Sequence, residues 1–150
     1  MGDRFSFTTS HIGICVRDLD RSRRFYVDGL GFDEFARFEM TRTIAEVDPP
    51  CDFTSFFIQK GGLRVELLHY RSPGAIGHPS TRRNQLGLTH LSFVVDDVDA
   101  AARDLEAYGG TIIEGTRSGQ DDEDAVQIIF LADPDGTRVE LMRLAKGQPW

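Results

Sequence analysis

Two stretches decide the fold of this chain: HIGICVRDLDRSRRFYVDGLGF, residues 11–32, and HLSFVVDDVDAAARDLEAYGGT, residues 90–111. Laid on one another, His11 meets His90, Val16 meets Val95, Asp18 meets Asp97, Asp20 meets Asp99 and Gly31 meets Gly110. Further along, FFIQKGGLRVELL (56–68) matches FLADPDGTRVELM (130–142), with Phe56 on Phe130 and the tetrapeptide RVEL repeated unchanged. Agreement at both ends in the same order identifies a duplicated module.

Each copy has the same physical pattern. Ile12–Val16 and Leu91–Val95 are short, apolar and rich in branched side chains, which predicts strands. Asp18 and Asp97 are placed to cap helices whose apolar faces carry Leu19, Phe25 and Tyr26 in one copy and Val98, Ala102 and Leu105 in the other. Gly29 and Gly31, then Gly109 and Gly110, close those helices. Further strands are expected near 33–40, 52–59 and 63–69, and again near 111–116, 126–132 and 137–144. The fold class is therefore α+β: two tandem βαβββ modules within one domain spanning 1–150. Module one covers about 8–70, a connector about 71–87 and module two about 88–145. The connector, RSPGAIGHPSTRRNQLG, is rich in Gly, Pro and Ser, with room for a short helix. The acidic run at 121–124 reads as a solvated loop, with a lid as the second reading. The tail KGQPW reads as a frayed end whose Trp150 could dock on a partner.

Composition narrows the function. The chain is 40% hydrophobic and 27% charged, ordinary for a globular protein, with a net charge of −7. Nonspecific nucleic-acid binding relies on a basic surface and is excluded, whereas a few arginines can still receive a small anionic substrate. No apolar run approaches a membrane span, and MGDRFSFTTS lacks the apolar core of a secretory signal, so a cytoplasmic protein with no membrane partner is expected. Cys15 and Cys51 fit neither a disulfide framework nor a CxxC site. Cys15 lies in an apolar strand pattern and is expected to be a buried free thiol.

Side chains alternate across a strand. His11, Gly13 and Cys15 thus share a face, as do His90, Ser92 and Val94; Arg64, Glu66 and Leu68; and Arg138, Glu140 and Met142. Each module offers one His and one Glu away from its aliphatic face. Related by a pseudo-twofold axis, the four would converge. Two imidazoles and two carboxylates suit Zn, Ni, Co, Mn or Fe. Taken singly, a strand His is usually structural and a strand Glu usually faces solvent. Recurrence of both types at equivalent positions favours ligands. Arg64 and Arg138 are expected to pair with carboxylates, with binding of an anionic substrate as the second reading.

On these residues the chain resembles the vicinal oxygen chelate superfamily, which includes glyoxalase I, methylmalonyl-CoA epimerase, extradiol dioxygenases, fosfomycin-resistance enzymes and bleomycin-binding proteins. The resemblance implies paired βαβββ modules cupped around a divalent-metal site, with His11, Glu66, His90 and Glu140 as ligands. It implies isomerase or lyase chemistry on a small acyl or α-keto substrate. Glu140 would be the catalytic base and Glu66 its counterpart, in a homodimer whose sites draw on one chain or two. Where glyoxalase I carries a glutathione-binding Arg this chain has Cys15, and where it carries an Asn this chain has Tyr70; both departures speak against glutathione. The further catalytic Glu of the epimerase falls on Pro50, leaving Glu46, Asp48 and Asp52 as substitutes. A metal-dependent dioxygenase of the extradiol type and a drug- or metabolite-binding protein of the bleomycin-resistance type are the alternatives.

Overall fold

The computed structural model describes residues 6–120, 122 and 124–148. Asp121 and Glu123 of the acidic run, and Trp150, lie outside the described residues. The chain forms two compact units. The first holds the chain up to Arg17 together with Phe32–Ala75, and the second holds Asp18–Gly31 together with the chain from Ile76 onward.

In the first unit, β1 (Ile12–Val16), β2 (Asp33–Thr41), β3 (Asp52–Lys60) and β4 (Leu63–Ser72) form one sheet in the order β1-β4-β3-β2. The second unit repeats this with β5 (Leu91–Val94), β6 (Thr111–Ile112), β7 (Gln127–Ala132) and β8 (Arg138–Arg143), in the order β5-β8-β7-β6. In both sheets the first and last strands of the module pair in parallel, and the other pairings are antiparallel. This is the expected α+β plan of two βαβββ modules.

Three local departures have physical causes. The strand expected over 111–116 stops at Ile112, because the Thr116 hydroxyl accepts the Phe130 N–H (3.1 Å) and donates to the Ile113 carbonyl (2.7 Å). No helix forms in the connector among the described residues, where Gly74, Gly77 and Gly87 all take positive φ. The alignment of Phe56 with Phe130 is displaced by one residue. Phe57 is the partner of Glu66, as Phe130 is of Glu140, so the β7–β8 turn is one residue longer than the β3–β4 turn.

The helices start as their caps dictate. The Asp18 carboxylate accepts the Arg21 N–H at the head of α1 (Leu19–Arg23), and that of Asp97 accepts the Asp99 and Ala100 N–H groups at the head of α2 (Val98–Glu106). α1 passes into a π-helical turn at Arg24–Gly29, where Leu30 N–H reaches the Phe25 carbonyl. A π turn absorbs an extra residue. Accordingly, left-handed Gly31 follows Asp18 by one residue more than left-handed Gly109 follows Asp97.

The first-copy helix sits in the second unit. Leu19, Phe25 and Tyr26 are buried there with Val98, Ala102 and Leu105. A Cβ on Gly110 would lie 2.9 Å from the Phe25 ring, so a glycine is needed for that approach. Arg24 donates to the Ala107 carbonyl (2.7 Å). The Tyr26 hydroxyl donates to Asp133 Oδ2 (2.9 Å), whose Oδ1 accepts the N–H groups of Asp135 (2.9 Å) and Thr137 (2.8 Å). Asp133 is buried; burial raises its pKa, and burial followed by Asp133 itself raises that of Tyr26. We expect Asp133→Ala, which orphans three donors, to cost about 2–4 kcal/mol. Tyr26→Phe should cost about 1–2 kcal/mol, both read from urea midpoints. Measured in a double-mutant cycle, the two losses should fall clearly short of additive.

In the first unit Arg71 gathers Asp52, Glu39 and Thr54. Its Nε donates to Asp52 Oδ2 (2.9 Å) and its Nη1 to Glu39 Oε2 (2.8 Å). Hydrogen bonds from Thr54 and Arg37 to Glu39, with Arg71 adding to them, pull its pKa down to about 2. A depressed carboxylate stabilises the fold above its ordinary pKa and loses that effect as pH falls through the folded value. Stability should thus decline on acidification from about pH 4.5 to about 2. Glu39→Gln should flatten that decline in a series of urea midpoints against pH.

Candidate metal centre

The parallel pairing of β1 with β4 sets Gly13 beside Glu66, and that of β5 with β8 sets Ser92 beside Glu140. His11 and His90 stand one residue before β1 and β5. In the first unit, His11 Nε2 is 3.1 Å from Glu66 Oε2, with Ser10 Oγ 2.8 Å from His11 Nδ1 and the ring edge-on to Phe57 at 5.1 Å. In the second, His90 Nε2 is 3.5 Å from Glu140 Oε2, with Thr89 Oγ1 2.8 Å from Nδ1 and the ring edge-on to Phe130 at 5.2 Å. The two half-sites are built alike: a hydroxyl on one imidazole nitrogen, a carboxylate facing the other, a phenylalanine against the ring.

Neighbouring donors bound to one ion at about 2.0–2.2 Å, at octahedral or tetrahedral angles, stand about 2.8–3.6 Å apart. The spacings of 3.1 and 3.5 Å therefore fit a nitrogen and an oxygen sharing a divalent metal. Each glutamate is mostly buried, at 15% and 13% side-chain exposure. Uncompensated negative charge is costly in such a setting, which a cation relieves. The structure brings His11 to Glu66 and His90 to Glu140. Among the described residues it gathers no group of three or more His, Cys, Asp or Glu side chains that could hold a metal.

The second contact of each glutamate breaks the symmetry. Ser55 donates to Glu66 Oε1, so both oxygens of Glu66 are engaged. Ser92 donates to Glu140 Oε2 (2.6 Å), the oxygen that also faces His90, leaving Oε1 without a hydrogen-bond partner among the described residues.

The chain belongs to the glyoxalase/bleomycin resistance protein/dioxygenase superfamily. Its family model matches residues 8–141. The chain is 28% identical to a 2-epi-5-epi-valiolone epimerase from Actinomyces sp, over 93% of this chain and 81% of that one. It is 27% identical to catechol-2,3-dioxygenase from Bacillus subtilis, over 88% of this chain but only 41% of that one. A glyoxalase family protein from Bacillus cereus shares the fold with a TM-score of 0.74 at 18% identity, over 95% of this chain and 97% of that one.

Other expected residues stand differently. Cys15 is exposed, because it lies on the His11 face of β1 and Val16 takes the buried side; Cys51 is the buried thiol. The anticipated carboxylate partners of Arg64 and Arg138 are replaced by the Phe35 ring, 4.1 Å from the Arg64 guanidinium, and by the Thr81 carbonyl, which accepts from Arg138 (2.5 Å). Asp52 is committed to Arg71, which lowers its pKa, while Glu46 and Asp48 are exposed in the β2–β3 loop. The sequence reading passed over Ser10, Thr89, Ser55, Ser92, Phe57 and Phe130. A hydroxyl residue before each His, in TSH and LTH, was the available signal for the first two.

Ser55 is buried and Ser92 exposed. We expect Ser55→Ala, which strips a donor from a mostly buried carboxylate, to cost about 1–2 kcal/mol in urea unfolding. Ser92→Ala should cost less than about 0.5 kcal/mol.

Among the described residues no helix is long and apolar enough to cross a membrane.

Proposed function

We propose that His11, Glu66, His90 and Glu140 hold one divalent ion (Zn, Ni, Co, Mn or Fe), one His–Glu pair coming from each unit of the same chain or of two copies. The protein would be a metal-dependent isomerase or lyase that moves a proton next to the carbonyl of a small acyl or α-keto substrate. The observation carrying this reading is the recurrence of an imidazole nitrogen and a carboxylate oxygen at metal-sharing distance, each against the same type of ring. A cytoplasmic homodimer acting on a small molecule is the setting that goes with it.

A bound divalent ion would stabilise negative charge developing on the substrate's carbonyl oxygen. The chain's own residues then divide the work. Among the described residues nothing engages Glu140 Oε1, while Ser92 and His90 fix Oε2, which suits Glu140 to take the proton from the carbon beside the carbonyl. Glu66, held at both oxygens, serves as a fixed ligand and as the counterpart carboxylate where a proton must be returned. His11 and His90 act as ligands, oriented through Nδ1 by Ser10 and Thr89.

Metal analysis of the purified protein should find stoichiometric divalent ion, and His11→Ala or His90→Ala should weaken its binding about 100-fold or more. Glu140→Gln should abolish solvent-deuterium exchange at the substrate carbon, a loss of about 10³-fold or more. A preparation with no stoichiometric metal, or one whose metal binding survives loss of both Glu66 and Glu140, overturns the reading. The dioxygenase relative makes oxygenation the second reading. Oxygen consumption with a panel of catechols would establish it in place of proton transfer.

A further inference from the structure

Beside the row that holds Glu66, the register of the first sheet sets a second row of polar side chains. Arg64 pairs with Gln59 and Gln59 with Asp33, while His11 stands one residue before the Ile12–Val65 pair, next to Arg64. The Arg64 guanidinium lies over the Phe35 ring at 4.1 Å, at the bulge between Glu34 and Ala36. A ring under its flat face holds the guanidinium in place and leaves the in-plane N–H groups for an oxyanion. Arg64 and Gln59 are both half-buried, and neither side chain has a hydrogen bond or ion pair among the described residues. Glu66 does not take up Arg64, since its two oxygens face Ser55 and His11. Asp33 is exposed at the far end of the row, beyond Gln59.

The matching row of the second sheet is built differently. Arg138 also has a buried Nε without a partner, so that trait comes with the repeat. Its Nη2, however, donates to the Thr81 carbonyl (2.5 Å), and the place of Gln59 is taken by Ala132. A further cation, Arg83, reaches the second sheet from the connector and lies over the Phe130 ring at 5.1 Å. Only the first sheet sets an uncommitted guanidinium and an uncommitted amide side by side.

We propose that Arg64 and Gln59 receive a carboxylate of the substrate, remote from the oxygens that the metal would hold. This deepens the reading of His11 and Glu66 as a metal half-site and rests on it. A guanidinium offers two parallel N–H donors to a carboxylate, and the Gln59 amide adds a neutral donor beside them. One cation and one amide match a single negative charge, which favours a carboxylate over a doubly charged phosphate. Successive rows on one face of a sheet stand about 7 Å apart, so the group is not the carboxylate of an α-keto acid, whose oxygens would share the ion. It belongs to the far end of the acyl or keto chain. A bound ion compensates the charge of Glu66, so the arriving carboxylate is not repelled from the neighbouring row.

Two measurements on the full chain test the proposal. In the cobalt-loaded protein, the visible spectrum follows titration with glutaric acid monohydroxamate and with pentanohydroxamate, chelators of equal length that differ in the terminal carboxylate. The carboxylate-bearing chelator should bind about tenfold more tightly. Arg64→Gln should remove that advantage and leave pentanohydroxamate unchanged, and Arg64→Lys should keep part of it. Gln59→Ala should reduce the advantage about threefold, and Arg83→Gln should leave it intact. Equal binding of the two chelators by the native protein, or equal weakening of both in Arg64→Gln, overturns the proposal. So does loss of the advantage in Arg83→Gln but not in Arg64→Gln. If cobalt does not bind, or neither chelator perturbs it, the metal reading fails, and Arg64 is tested by itself. In the metal-free protein with isotope-labelled arginine, glutaramate should shift the Nε–H resonance that is missing from Arg64→Lys, and neutral glutaramide should not. An unmoved resonance, or equal shifts with both, overturns the carboxylate site independently of the metal.

Discussion

Parallel pairing between the first and last strands of each module is the constraint on which the rest depends. A hairpin alone could not bring the residue before β1 next to the middle of β4, because those positions lie more than fifty residues apart in sequence. The crossover through a helix makes the pairing possible. Once the register is fixed, one residue of slip would turn Glu66 or Glu140 to the aliphatic side. The apolar partners Val65 and Leu67, Val139 and Leu141, all fully buried, prevent that slip. Hydrophobic burial thus holds the two glutamates in place.

This explains why so much was legible in sequence. RVEL announces its own facing, since Val and Leu must go inward and the Glu between them cannot follow. The helix caps and the residues of the helix faces were equally plain, because Asp18 and Asp97 precede apolar spacing of the helical period. The rest depends on contacts that one-dimensional patterns do not carry. Cys15 appeared to belong to the core by its neighbours and lies on the open face by its parity. The partner of Glu66 was displaced by one residue because turn length cannot be seen from matching ends. That the helix of the first copy packs in the second unit has no local signature at all, since the same apolar stripe would serve against either sheet.

The two half-sites show how duplication and divergence share the work. Imidazole, carboxylate, hydroxyl and ring are kept in both. What differs is the second hydroxyl: Ser55 reaches Glu66 from the neighbouring antiparallel strand, and Ser92 reaches Glu140 from the parallel one. The change engages both oxygens of one carboxylate and, among the described residues, only one oxygen of the other. Two carboxylates in otherwise equal surroundings thereby become suited to different tasks.

The π-helical turn and the β7–β8 turn each carry one residue more than their counterparts in the other copy. They meet in one hydrogen bond, Tyr26 to Asp133. The position matching Tyr26 in the second helix is Leu105, which has no hydroxyl, and the short β3–β4 turn of Gly61 and Gly62 offers no carboxylate. The two modules are therefore no longer interchangeable parts. Either copy doubled with itself would lose one end of this bond, so the second unit is complete only with an element from each copy.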